Sequence, residues 1–476
     1  MFRAILLTTA LVAPSQLFAQ ATTERAAVIA AELDRYLPGD ARVVEVTPSG
    51  ADYTVTLNLE AMTLKQVSRG LTVKAEPLIL RLTEEAGGTY AVSYDQALSA
   101  KISYRDEFNL DMAVARVVGS GQFDPSLGAF ISHEMTYTDL SYVQDYGSQS
   151  DLGSVTYRLG QMTAKSAAKA NPAGGIDVVA DYRGTDLVED LTMPNPSTGE
   201  LMPVSIKAAS YDGKAEATGV RSLELLDLVA FGVANFPPSP NAPAQQNALK
   251  DKLRAAAPFF ASLSADNAMQ DVSVETPVGT FAAATAVVDI AANGAVAEGA
   301  FEQRLSLTGL SLPEGLVPAW VNTLIPEDSS FGFSFDDFDL AAPLAILLDR
   351  VDFKTGPTSA QSEALGKAIL PSGAVQMGFT IGSEAKGTYE LEASGSLAIG
   401  PEAPPSGTAR VSVAGIDAIL SALNEAPPEV KRGAIPAVGM ARGLGKTDGD
   451  ATIWEIEMTE DGKLLVNGND LSMFMQ

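Results

Sequence analysis

From Tyr53 onward the chain alternates: Tyr53, Val55, Leu57 and Leu59 are separated by Thr54, Thr56 and Asn58. A period of two belongs to a strand with one dry face and one wet face. The pattern recurs over Leu71 to Val73, Leu78 to Leu82, Tyr90 to Tyr94, Ala100 to Tyr104, Phe108 to Val118 and Met135 to Val143, with turns such as Glu85-Ala86-Gly87-Gly88 between the runs. This series predicts an antiparallel meander, since antiparallel sheets commonly leave one face solvated.

Helical spacing interrupts the strands in a few places. Ile29, Leu33 and Leu37 form one stripe within Thr23 to Tyr36, ended by Pro38-Gly39. Leu249, Leu253, Ala256, Phe260 and Leu263 form another, kinked or split by Pro258. A strand that ends in glycine and runs into a helix occurs at Gly309, at Gly415 and, more faintly, at Gly219. Ser311-Leu-Pro-Glu314 reads as a capping box for a helix carrying Val317, Trp320, Val321 and Leu324. After Gly415 the stripe is Ile416, Ile419, Leu420 and Leu423. Phe331, Phe333 and Phe335 then share one strand face, as do Trp454, Ile456 and Met458. The fold class expected is α+β and strand-rich. Long antiparallel meandering sheets carry amphipathic helices on one face, with repeated strand-Gly-helix-strand units in the C-terminal half.

The 476 residues suffice for two or three domains. Residues 1–21, with Arg3, an apolar run from Ala4 to Ala13 and Ala19-Gln20-Ala21, read as a secretory signal peptide. Pro237, Pro238, Pro240 and Pro243 mark a linker at 237–246 between an N-terminal β-rich domain (22–236) and a C-terminal α+β domain (247–476) with two strand-Gly-helix units. No later apolar run approaches the roughly 18 residues of a spanning helix. The expectation is an exported periplasmic protein without a membrane span.

Composition removes several chemistries. There is no cysteine, so disulfides, thiolate metal sites and cysteine nucleophiles are excluded. A net charge of -27 repels nucleic acid. His133 is the only histidine, too few for a histidine zinc site, and with Ile131, Met135 and Tyr137 it reads as a packed or surface strand residue. Gly443-Leu-Gly445-Lys446-Thr447 ends like a phosphate loop but has Met440 where the motif needs glycine. Asp336, Asp337 and Asp339, and Asp448 and Asp450, do not match a twelve-residue calcium loop. No catalytic residue, cofactor or metal ligand is assigned. Lys431, Arg432, Arg442 and Lys446 form a run without acids, a candidate anion-binding patch or a solvated loop.

In the tail, a three-residue loop, Glu460-Asp461-Gly462, would pair Met458 with Leu464 and Ile456 with Val466. Glu455 and Glu457 then form the wet side of a hairpin, and Trp454 anchors the chain end to the last helix unit. Trp454-Glu455-Ile456, Asp461-Gly462 and Leu465-Val466-Asn467-Gly468 resemble the C-termini of an alphaproteobacterial envelope family, domain of unknown function 2125. The resemblance implies an exported protein and supplies no catalytic residues. Its general look is similar to larger envelope proteins of long curved sheets, some implicated in moving lipids. The functional expectation is a non-enzymatic protein that binds a lipid or other hydrophobic envelope component, or scaffolds envelope assembly. The alternatives are a carboxylate-based hydrolase of envelope glycans and a pure protein-interaction module.

Overall fold

A computed structural model describes residues 20–34, 36–37, 43–63, 70–146, 153–195, 198–235, 243–401 and 403–471. Most of the expected leader, and Pro38, Gly39, Pro237, Pro238 and Pro240, lie outside them. The chain opens with α1 (Thr23–Asp34), β1 (Val44–Ser49), β2 (Asp52–Leu57), α2 (Leu59–Thr63), β3 (Leu71–Ala75) and β4 (Leu78–Glu84). Six long strands come next: β5 (Tyr90–Tyr104), β6 (Phe108–Asp124), β7 (Ala129–Asp145), β8 (Ser154–Ala170), β9 (Ile176–Pro194) and β10 (Leu201–Val220). Helices α3 (Ser222–Ala234) and α4 (Pro243–Ala256) precede β11 (Ser262–Thr276), β12 (Gly279–Asn293) and β13 (Gly299–Thr308). Beyond β13 lie α5 (Ala319–Asn322), β14 (Asp328–Phe338), α6 (Ala341–Arg350), α7 (Ser359–Ile369), β15 (Val375–Ala385), β16 (Tyr389–Ile399) and β17 (Ser406–Ala414). The chain closes with α8 (Ile416–Leu423), α9 (Pro428–Leu444), β18 (Lys446–Asp448), β19 (Ala451–Met458), β20 (Leu464–Val466) and β21 (Asn469–Asp470).

All 21 described strands belong to one antiparallel sheet. Its backbone is a plain meander in which β5 to β17 each pair with the next. β4 and β3 pair with successive halves of one edge of β5, and β2 and β1 extend the sheet beyond β4. At the other end β19 pairs with β17 and carries β18 and β20 on its outer edge.

Several expectations are corrected by this topology. Tyr90 to Tyr94 and Ala100 to Tyr104 are one strand, β5, with a register irregularity between Gln96 and Leu98. The boundary placed at 237–246 does not interrupt the sheet, because β10 and β11 on either side of it are paired neighbours, and Pro243 opens α4 rather than ending a linker. The stripe drawn from Leu249 to Leu263 ends at Ala256, and Leu263 belongs to β11. No helix starts at Ser311. Its backbone bridges Ala282 in both directions, at 3.0 and 2.8 Å, and the helix after it has only four residues. The fainter copy at Gly219 is the stronger one, since α3 has 13 residues.

All three unit glycines are left-handed, with φ of 62° at Gly219, 64° at Gly309 and 77° at Gly415. Only glycine adopts that conformation without strain, so at each of them the strand turns abruptly out of the sheet. The helices gather at the two ends of the strands. At one end α3 packs on α4, α4 on α6 and α6 on α7; at the other α5 packs on α8 and α8 on α9. Arg254 of α4 reaches Asp349 of α6 at 2.9 Å, and Ser222 of α3 donates to the Leu127 carbonyl in the β6–β7 turn at 2.5 Å.

A line of bulges crosses the long strands. Asp139, Asp186 and Asp271 have φ of 50°, 57° and 51°. The pairing skips them together with Ala115, Gly160, Ala209 and Ala284 on neighbouring strands. Aspartate tolerates the left-handed region better than most residues, and the pairing resumes in the same register beyond each gap. Val117 and Val114, three apart rather than two, are both buried, at 2% and 4% exposure.

Candidate functional site

Directly paired residues of an antiparallel sheet share a face, so the register sorts the whole sheet into two sides. One row reads Arg81, Ser93, Ser120, Glu134, Lys165 and Asp181, then Lys214 and Asp266, and ends at Arg410 and Glu455. Its ion pairs include Glu134–Lys165 at 3.0 Å, between exposed side chains that contribute little each. This is the wet side.

The opposite side is built from four neighbouring rows. One runs Ala168, Val178, Ala217, Leu263, Ala292, Phe301, Phe335, Met377, Leu397 and on to Met458 and Leu464. The next passes through Leu82, Val92, His133, Ile290, Phe333, Phe379 and Ile456. A third runs from Tyr94 through Met135, Tyr182, Asn267, Val288, Leu305, Phe331 and Ile381 to Trp454, and a fourth from Val117 through Tyr137, Met162, Tyr211 and Met269 to Leu307 and Val413. No Asp, Glu, Lys or Arg occurs in these four rows. They span about 20 Å along the strands and about 65 Å of contour across them, at ~3.3 Å per residue and ~4.8 Å per strand.

This apolar strip is closed at its first end. Ala26 and Ile29 of α1 sit on Tyr53, Val55, Leu82 and Val92, and Phe123 and Phe130 pack against the cluster. On the wet face of the same strands Asp52 accepts from Thr83 Oγ1 at 2.5 Å and Arg81 Nε at 2.7 Å, and these bonds hold its carboxyl below the usual range. At the far end Trp454 Nε1 donates to the Ala441 carbonyl of α9 at 2.7 Å. Between them the strip is open: Leu305, Phe331 and Ile381, neighbours in one row, are 38%, 47% and 39% exposed. Phe333 contacts Phe301, Phe331 and Phe335 with ring centroids 5.7 to 5.9 Å apart.

Of the residues singled out from the sequence, His133 and Trp454 lie in the strip and the charged ones fall elsewhere. His133 faces the strip; its Nε2 lies 3.0 Å from the Tyr94 hydroxyl, its ring 4.6 Å from Phe130, and burial lowers its pKa. Lys431, Arg432 and Arg442 lie on α9 and Lys446 opens β18. Arg442 pairs with Asp417 at 2.5 Å and Lys446 with Glu455 at 2.7 Å, while Arg432 Nε donates to the Pro428 carbonyl at 3.2 Å. Two of the four charges are therefore already balanced by carboxylates. Gly443 to Thr447 runs from a helix into a strand, the reverse of a phosphate loop. Asp337 is left-handed at a bulge and Asp339 caps α6 through the Ala342 N–H at 2.9 Å, so both serve the β14–α6 corner.

A cavity of about 960 Å³ opens on the wet side over β1, β2 and β4 to β7. Its acids are Asp52, held by Arg81; Asp95, held by Arg116 at 2.6 Å; and Glu134, held by Lys165. Asp52 and Asp95 are pushed below their ordinary pKa by these partners, opposite to the rise a general acid requires. Among the described residues no helix is long and apolar enough to cross a membrane. No protein-family model, curated protein or solved structure matches the chain.

Proposed function

We propose that the protein binds a lipid or other hydrophobic component of the cell envelope along the open apolar strip of its sheet, without catalysing a reaction, in the periplasm. The observation that carries this reading is the exposed row Leu305–Phe331–Ile381 within four rows free of charge. Contiguous apolar surface left in water is uncommon on proteins without a partner for it. An N-terminus of signal-peptide character, a chain without cysteine and a strongly acidic surface support the compartment. The test is to purify the protein from its own host without detergent and analyse organic extracts by mass spectrometry, alongside titration with N-phenyl-1-naphthylamine. Co-purifying lipid and a fluorescence rise that Phe331→Asp abolishes are expected. A clean extract with no probe binding would refute the reading.

A further inference from the structure

Three polar side chains of the strip meet over β9 to β11. Tyr182 of β9 and Tyr211 of β10 both donate to Oδ1 of Asn267 in β11, at 2.5 and 3.4 Å, with their rings 5.4 Å apart. Burial pushes the Tyr211 phenol far above its ordinary range, so it remains a neutral donor. Asn267 Nδ2 reaches the Val288 carbonyl at 3.4 Å. That long contact occupies one of the two amide hydrogens and leaves the other as a donor.

Asn267 stands in the same register row as Val288, Leu305, Phe331 and Ile381. Four strand spacings separate Asn267 from Ile381, about 19 Å. A lipid chain spans half of a hydrocarbon core of about 30 Å, so about 15 Å. Resting on the function proposed above, we infer that the ligand is an acyl-ester lipid lying across the strands. Its chain covers Leu305, Phe331 and Ile381, and its ester carbonyl accepts from Asn267 Nδ2. The α1 cover lies on the neighbouring row of Leu82 and Val92; the row of Asn267 starts beside it at Tyr94 and carries no charged side chain along its length. A row without charge offers a protein partner no ion pairs, whereas one amide donor at the end of a chain-length apolar run matches an ester-linked chain.

The experiment uses the full protein and a phosphatidylcholine whose palmitoyl chain carries a diazirine, with N-phenyl-1-naphthylamine as an ester-free probe. On irradiation the crosslinks are expected on β13, β14 and β15. Asn267→Leu is expected to weaken the phospholipid about fivefold while leaving the ester-free probe within about twofold. Crosslinks confined to β5–β9, or unchanged phospholipid affinity in a folded Asn267→Leu variant, would overturn this inference and leave the strip's role standing. If neither probe binds the unaltered protein, the strip's role itself fails. A dimer in sedimentation that Phe331→Asp splits, with no lipid crosslinked, would make a second copy the occupant and also overturn it. The crosslink map is read on the unaltered protein, so it decides the matter even if Asn267→Leu does not fold.

Discussion

Two regions of one sheet face make the instructive comparison. At β2, β4 and β5 the apolar row is a core: Tyr53, Val55 and Val92 are 2%, 0% and 6% exposed beneath α1. At β13 to β15 the neighbouring row, Leu305, Phe331 and Ile381, stays open. Strand alternation is equally regular in both regions. The difference is whether the chain lays a helix back over the face. Apolar patterning therefore marks a face as dry but does not say what dries it. In one case it is the protein's own helix, and in the other it is left for something else.

Substitutions separate the two regions. The largest effect is expected from Ile29→Ala, which opens a cavity under α1 and should cost about 2–5 kcal/mol in urea unfolding. Phe331→Ala in the open region should cost about 1 kcal/mol or less, since much of that ring is already wet. Equal losses at the two sites would erase the contrast. Next in size is the bulge line between them. Asp186→Val forces a β-branched residue into the left-handed region and should cost about 1–2 kcal/mol, whereas Asp186→Gly should be near neutral by the same measurement. Trp454→Phe removes the donor to Ala441 and should cost about 1 kcal/mol, with faster amide exchange in the last turn of α9. The smallest effect is a pH slope. His133 has a folded pKa below its ordinary value, so the unfolded chain binds the extra proton first. Stability is then fully present above about pH 7 and declines as pH falls towards about 5, and His133→Phe should flatten that decline in thermal melts taken across the range.

Some of this was legible in the sequence at the level of single residues. The tail register is as the alternation demanded: Ile456 faces Val466, Met458 faces Leu464, and Gly462 has a φ of 79°. A one-residue slip would have put Leu464 and Val466 on the glutamate side, so burial alone chose between registers. The left-handed glycines at Gly219, Gly309 and Gly415 were legible for the same local reason. The bulge line leaves only a faint trace in the sequence. Thr-Asp-Leu occurs at 138–140 and again at 185–187, each time inside an alternating run whose phase then slips. The helix expected after Ser311 failed because the backbone of Ser311 found a partner in Ala282, and a cap residue held in a bridge cannot start a helix.

The sequence by itself determined the faces, because side-chain alternation is a property of each strand alone. It also determined the chemistry that is absent, because no fold creates a cysteine or a second histidine. Only the tertiary structure decided that the strands on both sides of residues 237–246 form one sheet, since strand neighbours are chosen by pairing partners far apart in the chain. The same holds for the cluster on Asn267, whose partners Tyr182 and Tyr211 lie 85 and 56 residues away. It also decided that α1 covers the first end of the apolar face while the stretch at β13 to β15 stays open. That depends on where a helix returns after its turn, and no periodicity records the direction of a returning chain.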